Sequence, residues 1–370
     1  MDYRITLIPG DTVGPELARQ AKVVLSAIAK SAGLTFRIME CLAGADAIRQ
    51  FGSPLPAETL RAVQNCDAVI LGNIGEQSFT SERLQDRPEY ALLEMRRSYG
   101  VCTNIRPVFI RRDLEELSPL KHSVIQNGFD ILLVRDIRGG MLNGPRNTVW
   151  TKDGQMASDL ELYHESTVAA SAKMAFEIAL QRRRHVISLD KANVLASSVL
   201  WRNTVTLLSA DYPDVALSHQ YIDNAAMNVI KYPGDFDVIL TSNVFGDILS
   251  DELAQLSGAP NLFGSAELAP DRRGIYTPNQ LHHPREDYSG QNIISPVGML
   301  NATAMMLNFT FHRPDLAKLL QAAIDNLFLQ KLTTPEIPIP GFHMVSTDEL
   351  GTEVANYILR CPIQESSPLS

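Results

Sequence analysis

Phe236-Asp-Val-Ile-Leu-Thr-Ser-Asn-Val-Phe-Gly-Asp-Ile-Leu-Ser-Asp251 is the stretch from which the fold is read. Its first six residues are a short apolar run rich in β-branched side chains, the pattern of a buried strand. Asn243 stands where a helix N-cap belongs, and Asp247 and Asp251 follow four residues apart. On a helix this spacing places both carboxylates on one face, one turn apart. Like charges so placed repel unless something positive lies between them. A hard divalent cation with oxygen ligands, Mg²⁺ or Mn²⁺, meets that need. The alternative is a pair of solvated acids near a helix N-terminus, where the dipole favours them.

Strand followed by helix recurs on both sides of this stretch. Arg4-Ile-Thr-Leu-Ile-Pro9 reads as a first strand, Gly10 to Gly14 as a turn, and Pro15 as the opening of a helix over 15–32. Further strands are expected at 35–39, 67–72, 130–135 and 186–190, and helices at 43–51, 56–64, 89–98, 163–184, 299–311, 314–327 and 347–359. This alternation predicts an α/β fold with a largely parallel sheet. No GxGxxG occurs, so the dinucleotide Rossmann fingerprint is absent. The polar, strand-like segment at about 140–162 has the look of an arm reaching another subunit. The loop-rich region after Gln255 contains His282-His283; adjacent side chains are expected to point in different directions, so no metal site is expected of the pair.

The chain has 370 residues, suggesting about two domains. Its 33 basic and 42 acidic residues leave a net charge of −9. That balance argues against a nucleic-acid or anionic-membrane partner, because phosphate binding needs a basic face. Cys41, Cys66, Cys102 and Cys361 are widely spaced with no CxxC pair, as expected of reduced thiols in a cytosolic protein. With no leader at Met1 and no apolar run near the ~20 residues of a membrane span, a soluble cytoplasmic protein is expected. The tail, 361–370, reads as disordered.

Arg96, Arg106 and Arg135 fall in separate elements. They are either surface residues or a set converging on a di- or tricarboxylate, which the guanidinium fork matches. Lys191 follows a strand end, where burial and neighbouring cations can make a lysine a base. Asp223 is a third carboxylate able to join Asp247 and Asp251.

Taken together, Ile8-Pro-Gly-Asp-Thr-Val-Gly-Pro-Glu16, the three arginines, Asp190-Lys-Ala-Asn-Val194, Tyr221-Ile-Asp223 and Asn243 to Asp251 resemble the β-decarboxylating dehydrogenases of isopropylmalate and isocitrate. The resemblance covers almost the whole chain, with the motifs in order. The isopropylmalate branch fits best, because Glu89, Leu92 and Leu93 precede the first arginine and Tyr90 stands where the isocitrate branch has serine. The resemblance implies a homodimer of two-domain chains with a cleft. Residues 1–101 and 255–360 would form the larger, cofactor-side domain, and 102–254 the smaller one with the dimer interface. Arg96, Arg106 and Arg135 would hold the malate carboxylates, with Glu89, Leu92, Leu93 and Val194 around the C3 substituent. Asp247 and Asp251 of one subunit, with Asp223 of the other, would hold Mg²⁺ or Mn²⁺. Lys191, from the partner subunit, would take the hydroxyl proton as hydride moves to NAD⁺, and Asp223 would also be catalytic. Asp287 and Ser265 would bind the cofactor, Asp287 favouring NAD⁺ over NADP⁺.

The chain departs from the family pattern at three places. Leu142 replaces a tyrosine that helps protonate the enolate carbon, and leucine has no proton to give. The cofactor loop reads Thr277-Pro-Asn-Gln-Leu-His-His-Pro284, with Leu281 in place of a glycine and two extra residues before Asp287. Thr12 replaces a glycine, a departure expected to matter little. The expected activity is NAD-dependent oxidative decarboxylation of a 3-substituted malate. A non-catalytic or regulatory paralogue, suggested by Leu142 and the altered loop, is the competing reading.

Overall fold

A computed structural model of the chain describes residues 2–79, 81, 83–279 and 286–361. It divides into two compact units, one formed by Met1–Gly100, Asn261–Ala266 and Asp271–Ser370, the other by Val101–Pro260 and Glu267–Pro270.

In the first unit β1 (Asp2–Ile8) lies between β2 (Thr35–Glu40) and β3 (Ala68–Leu71), parallel to both, with Ile5 level with Ile38 and Ala68. All four β3 residues are buried, as befits an apolar strand covered on both faces. α1 (Gly14–Ala32) starts one residue before Pro15 and turns Leu17, Ala21, Val24, Leu25 and Ile28 inward. That spacing is the helical stripe legible in the sequence. α2 (Ala45–Phe51), α3 (Ala57–Asn65) and α4 (Tyr90–Tyr99) complete the first half of this unit.

The second unit carries β4 (Thr103–Phe109), α5 (His122–Ile125), β5 (Asp130–Asp136), a hairpin of β6 (Arg146–Thr151) and β7 (Gly154–Asp159), α6 (Glu165–Ala179), β8 (His185–Asp190), α7 (Ala196–Ser209), β9 (Ala216–Tyr221), α8 (Ile222–Lys231), β10 (Val238–Thr241) and α9 (Asn243–Leu256). Its strands run in the order β4-β5-β10-β8-β9. Only the β4–β5 pair among them is antiparallel. The helix expected over 163–184 stops at Ala179, because the chain turns through Arg184 at φ +60 and Arg184 N–H returns to the Ala179 carbonyl. The domain break expected after 254 would fall inside α9, and the second unit instead runs to Pro260.

β11 (Gly264–Leu268) follows, and Cys102 N–H donates to the Leu268 carbonyl at 2.9 Å, which ties 267–270 to the second unit. The first unit resumes with β12 (Gly274–Pro278), parallel to β3, then α10 (Val297–Phe309), α11 (Pro314–Leu329), the short β13 (Leu332–Thr333) and β14 (His343–Met344), and α12 (Thr347–Arg360). α12 packs on α1 and opens with a capping box between Ser346 and Glu349. The fold is α/β with a mixed, largely parallel sheet, as expected. No helix among the described residues is long and apolar enough to cross a membrane, and the four cysteines are free. Gln280–Arg285 of the cofactor loop, with Leu281, His282 and His283, lies outside the described residues, as does 362–370 of the tail.

Candidate active site

Strand β10 delivers the chain to Ser242, the N-cap of α9, so Asn243 is the first helical residue and not the cap. Its side chain does other work. Asn243 Oδ1 accepts from Arg135 Nε at 3.1 Å and Nη2 at 2.7 Å, while its Nδ2 donates to the Gly139 carbonyl at 2.8 Å. Asn243 N–H donates to the hydroxyl of buried Tyr163 at 2.8 Å. Arg135, buried at the end of β5, is thereby fixed in orientation, and its Nη1 reaches Asp247 one turn into α9.

The second carboxylate is met in the same way. Arg106 of β4 donates from Nη1 to Asp251 Oδ1 at 2.9 Å and to Ser250 Oγ at 2.8 Å, and from Nε to Asn104 at 3.1 Å. Asp247 and Asp251 are therefore not merely solvated helix acids, because each faces an arginine from a neighbouring strand. Both keep open surface, with 49% and 68% of the side chain exposed. Two exposed carboxylates one turn apart match the oxygen donors that Mg²⁺ and Mn²⁺ prefer, with water and substrate filling the other positions.

Lys191, just past β8, places Nζ 2.8 Å from Asp223 Oδ2, in the first turn of α8. The hydrogen bond from Lys191 holds the Asp223 carboxyl below the ordinary carboxylate range. Among the described residues no three histidine, cysteine or acidic side chains of one chain come together as a metal cage. Asp223 thus stands with Lys191, not with Asp247 and Asp251 of its own chain.

Val194 and Leu142, also in the second unit, are exposed, and the Leu142 carbonyl accepts from Arg146 Nη2 at 2.8 Å. In the first unit α4 begins just after Glu89 and carries Leu92, Leu93 and Arg96; Leu92 is buried, while Glu89, Leu93 and Arg96 are half-buried. Ser265 is buried on β11 and Asp287 is exposed in a turn. Glu16 holds the chain beyond that turn, accepting from Gly290 N–H at 2.5 Å and Asn292 N–H at 3.1 Å. Thr12 is not the small departure expected. It takes φ +53, the left-handed region that a glycine enters freely, and its buried hydroxyl has no partner among the described residues.

Asn243, Ser250 and Glu16 act across more than a hundred residues of chain, which local spacing cannot report. Asn104 is two residues from Arg106 on β4, and the alternation that puts both side chains on one face of the strand is the signal that could have found it.

A family model described as isocitrate/isopropylmalate dehydrogenase matches residues 4–354. The 3-isopropylmalate dehydrogenase of Clostridium pasteurianum is 37% identical over 353 residues, covering 95% of this chain and 98% of that protein. That of Vibrio cholerae is 40% identical over 363 residues, covering 97% and 98%. Among solved structures, the isocitrate dehydrogenase of Methylococcus capsulatus superposes with a TM-score of 0.81 at 23% identity, over 97% of this chain and 100% of that one, and so shares its fold. With this fold and relatives of such identity along nearly its whole length, the chain belongs to the isocitrate/isopropylmalate dehydrogenase family.

Proposed function

We propose that the chain is an NAD-dependent, divalent-metal-assisted dehydrogenase that oxidises and decarboxylates a malate bearing an apolar C3 substituent, of the 3-isopropylmalate kind. The observation that carries this reading is the paired arrangement of Arg135 with Asp247 and Arg106 with Asp251 on α9. It sets carboxylate-binding forks beside carboxylates able to hold a cation.

In this reading Arg106 and Arg135 grip the malate carboxylates, and Arg96 joins them on the strength of the family resemblance. Asp247 and Asp251, with Asp223 from a second copy of the chain, hold Mg²⁺ or Mn²⁺. When bound, the cation supplies Lewis-acid polarisation of the substrate oxygens and NAD⁺ supplies the hydride acceptor. Lys191 accepts the hydroxyl proton, and Asp223 keeps its Nζ in place at 2.8 Å. Asp287 and Ser265 bind the cofactor, the carboxylate of Asp287 favouring ribose hydroxyls over an added phosphate. Leu142 and Val194 present apolar surface to the C3 substituent, and Leu93 joins them on the strength of the family resemblance, which selects against a third carboxylate there.

The test is NAD⁺ reduction with Mn²⁺ and a panel of alkyl- and arylmalates, run beside isocitrate and with NADP⁺ as alternative acceptor. Turnover of one or more alkyl- or arylmalates with NAD⁺ is expected. No turnover of any malate at high enzyme concentration would sink the reading, and preference for NADP⁺ would remove Asp287 from its role.

A further inference from the structure

The β8 and β9 strands end side by side, with Asp190 level with Tyr221 in the ladder. Lys191 directly follows β8 and Asp223 lies two residues beyond the end of β9, so the proposed base and its carboxylate leave the sheet together. Paired residues of neighbouring strands share one face of the sheet, so Asp190 and Tyr221 sit together. Arg202 of α7 covers both. Its Nε and Nη2 donate to the buried Asp190 carboxylate at 2.8 Å and 2.9 Å, and its guanidinium lies 5.1 Å from the centre of the Tyr221 ring. Lys191 Nζ lies 5.9 Å from the centre of the same ring.

We propose that Tyr221 is a positioning residue for Lys191, its ring and Asp223 receiving the ammonium that Nζ becomes on taking the hydroxyl proton, while Arg202, locked onto Asp190, denies Lys191 the neighbouring carboxylate. The proposal rests on the reading of Lys191 as the base. A lysine on a flexible four-carbon stem is poorly fixed by one exposed carboxylate, and 64% of the Asp223 side chain is exposed. An aromatic face attracts a cation within about 6 Å and adds a second restraint. Asp190, adjacent in sequence and buried, is the competing anion, and without Arg202 it would draw Lys191 away from Asp223. The bidentate fork on a buried carboxylate makes Arg202 the immobile member of the set. His219, whose Nδ1 is 4.0 Å from Asp190, and Thr206, bonded to His219 Nε2 at 3.0 Å, close the far side.

The experiment compares Tyr221→Phe, Tyr221→Leu, Arg202→Gln and Lys191→Ala in the full chain, with Mn²⁺, NAD⁺ and the alkylmalate that the unsubstituted chain turns over fastest. Tyr221→Phe keeps the aromatic face and should keep kcat. Tyr221→Leu should lose up to about 10²-fold in kcat, the scale of a misplaced reacting group, with KM for malate and NAD⁺ and the melting temperature unchanged. Full kcat in Tyr221→Leu overturns the proposal, as does an equal loss in Tyr221→Phe, which would assign the effect to the hydroxyl. Should Tyr221→Leu fail to fold, Arg202→Gln carries the test: loss of kcat at constant KM supports the proposal and full kcat overturns it. Lys191→Ala separates the two readings. If it turns over normally, the assignment of Lys191 as base fails. If it is dead while Tyr221→Leu is fully active, only the positioning role fails.

Discussion

Asp247 shows how one residue is asked to serve two partners. It pairs with Arg135, yet about half of its side chain is open for a cation. Replacing it by asparagine removes a charged oxygen donor. Because losing even an outer-shell partner costs about 10–100-fold in metal affinity, Asp247→Asn should weaken Mn²⁺ binding by at least that much. Calorimetry with substrate present reads it, and unchanged affinity would return Asp247 to the role of a structural ion pair. Leu142 bears on the last chemical step. Protonation of the enolate carbon needs an acid, and general acid catalysis is typically worth about 10²–10⁴-fold, so its absence should make this step slow. A pre-steady-state burst of NADH is expected from the natural chain, with faster steady turnover and a smaller burst in Leu142→Tyr. No burst and no gain would place the proton on another residue. Thr12 concerns stability alone. A left-handed backbone costs an ordinary residue about 1–2 kcal/mol, and glycine gives back about 0.5–1 kcal/mol of that through the unfolded chain. With an orphaned hydroxyl also removed, Thr12→Gly should stabilise by about 1 kcal/mol, read as a rise in melting temperature.

At the level of elements, the site depends on how closely α9 approaches the strands beneath it. Gly246 sits one residue before Asp247, and a methyl group there would lie 2.7 Å from Thr241 Cγ2 and 2.8 Å from Arg135 Cγ. Neither neighbour can yield freely. Thr241 is within β10, and the Arg135 fork is held by Asn243 and Asp247. Gly246→Ala should therefore cost about 1–3 kcal/mol of stability, the usual range for overpacking. It should also raise KM for the malate by tilting Arg135, with little change in KM for NAD⁺. Denaturant unfolding and initial-rate kinetics check the two effects separately. A variant that unfolds earlier with unchanged malate KM would show that Arg135 does not touch substrate.

For the molecule as a whole, the Lys191–Asp223 pair and the Asp247–Asp251 pair do not form a single cage within one chain. A second copy is proposed to bring them together. The second unit has surface suited to this. Trp150 on the β6–β7 hairpin is 80% exposed, Met227 on α8 63%, and Ile248 on α9 67%. Scattered apolar exposure is ordinary, but bulky residues on a projecting hairpin and on the helices that bear the aspartates mark a candidate contact between copies. A dimer is expected in sedimentation at assay concentrations, with activity falling as dilution separates the chains. A strictly monomeric species that retains full activity would contradict a shared site.

The sequence by itself determined the alternation of strand and helix, because apolar periodicity is a local property. The runs at β3 and β10 and the stripe of α1 are fixed by residues a few positions apart. It also placed Asp247 and Asp251 on one helical face, since four residues make about one turn. Ordered motifs identified the family, and the relatives agree with it. Tertiary structure alone decided what those residues touch. Whether an aspartate is solvated or paired depends on the strand packed beside it, and Arg106 and Asp251 are 145 residues apart in sequence. Asn243 reads locally as a cap, but the buried Arg135 fork and the Gly139 carbonyl claim its side chain instead. The helix over 163–184 ends early because its last turn closes on itself, and Thr12 is strained because the fold demands a left-handed turn there. Local propensity is written in neighbouring residues, whereas partners across the sheet exist only once the strands have set their register.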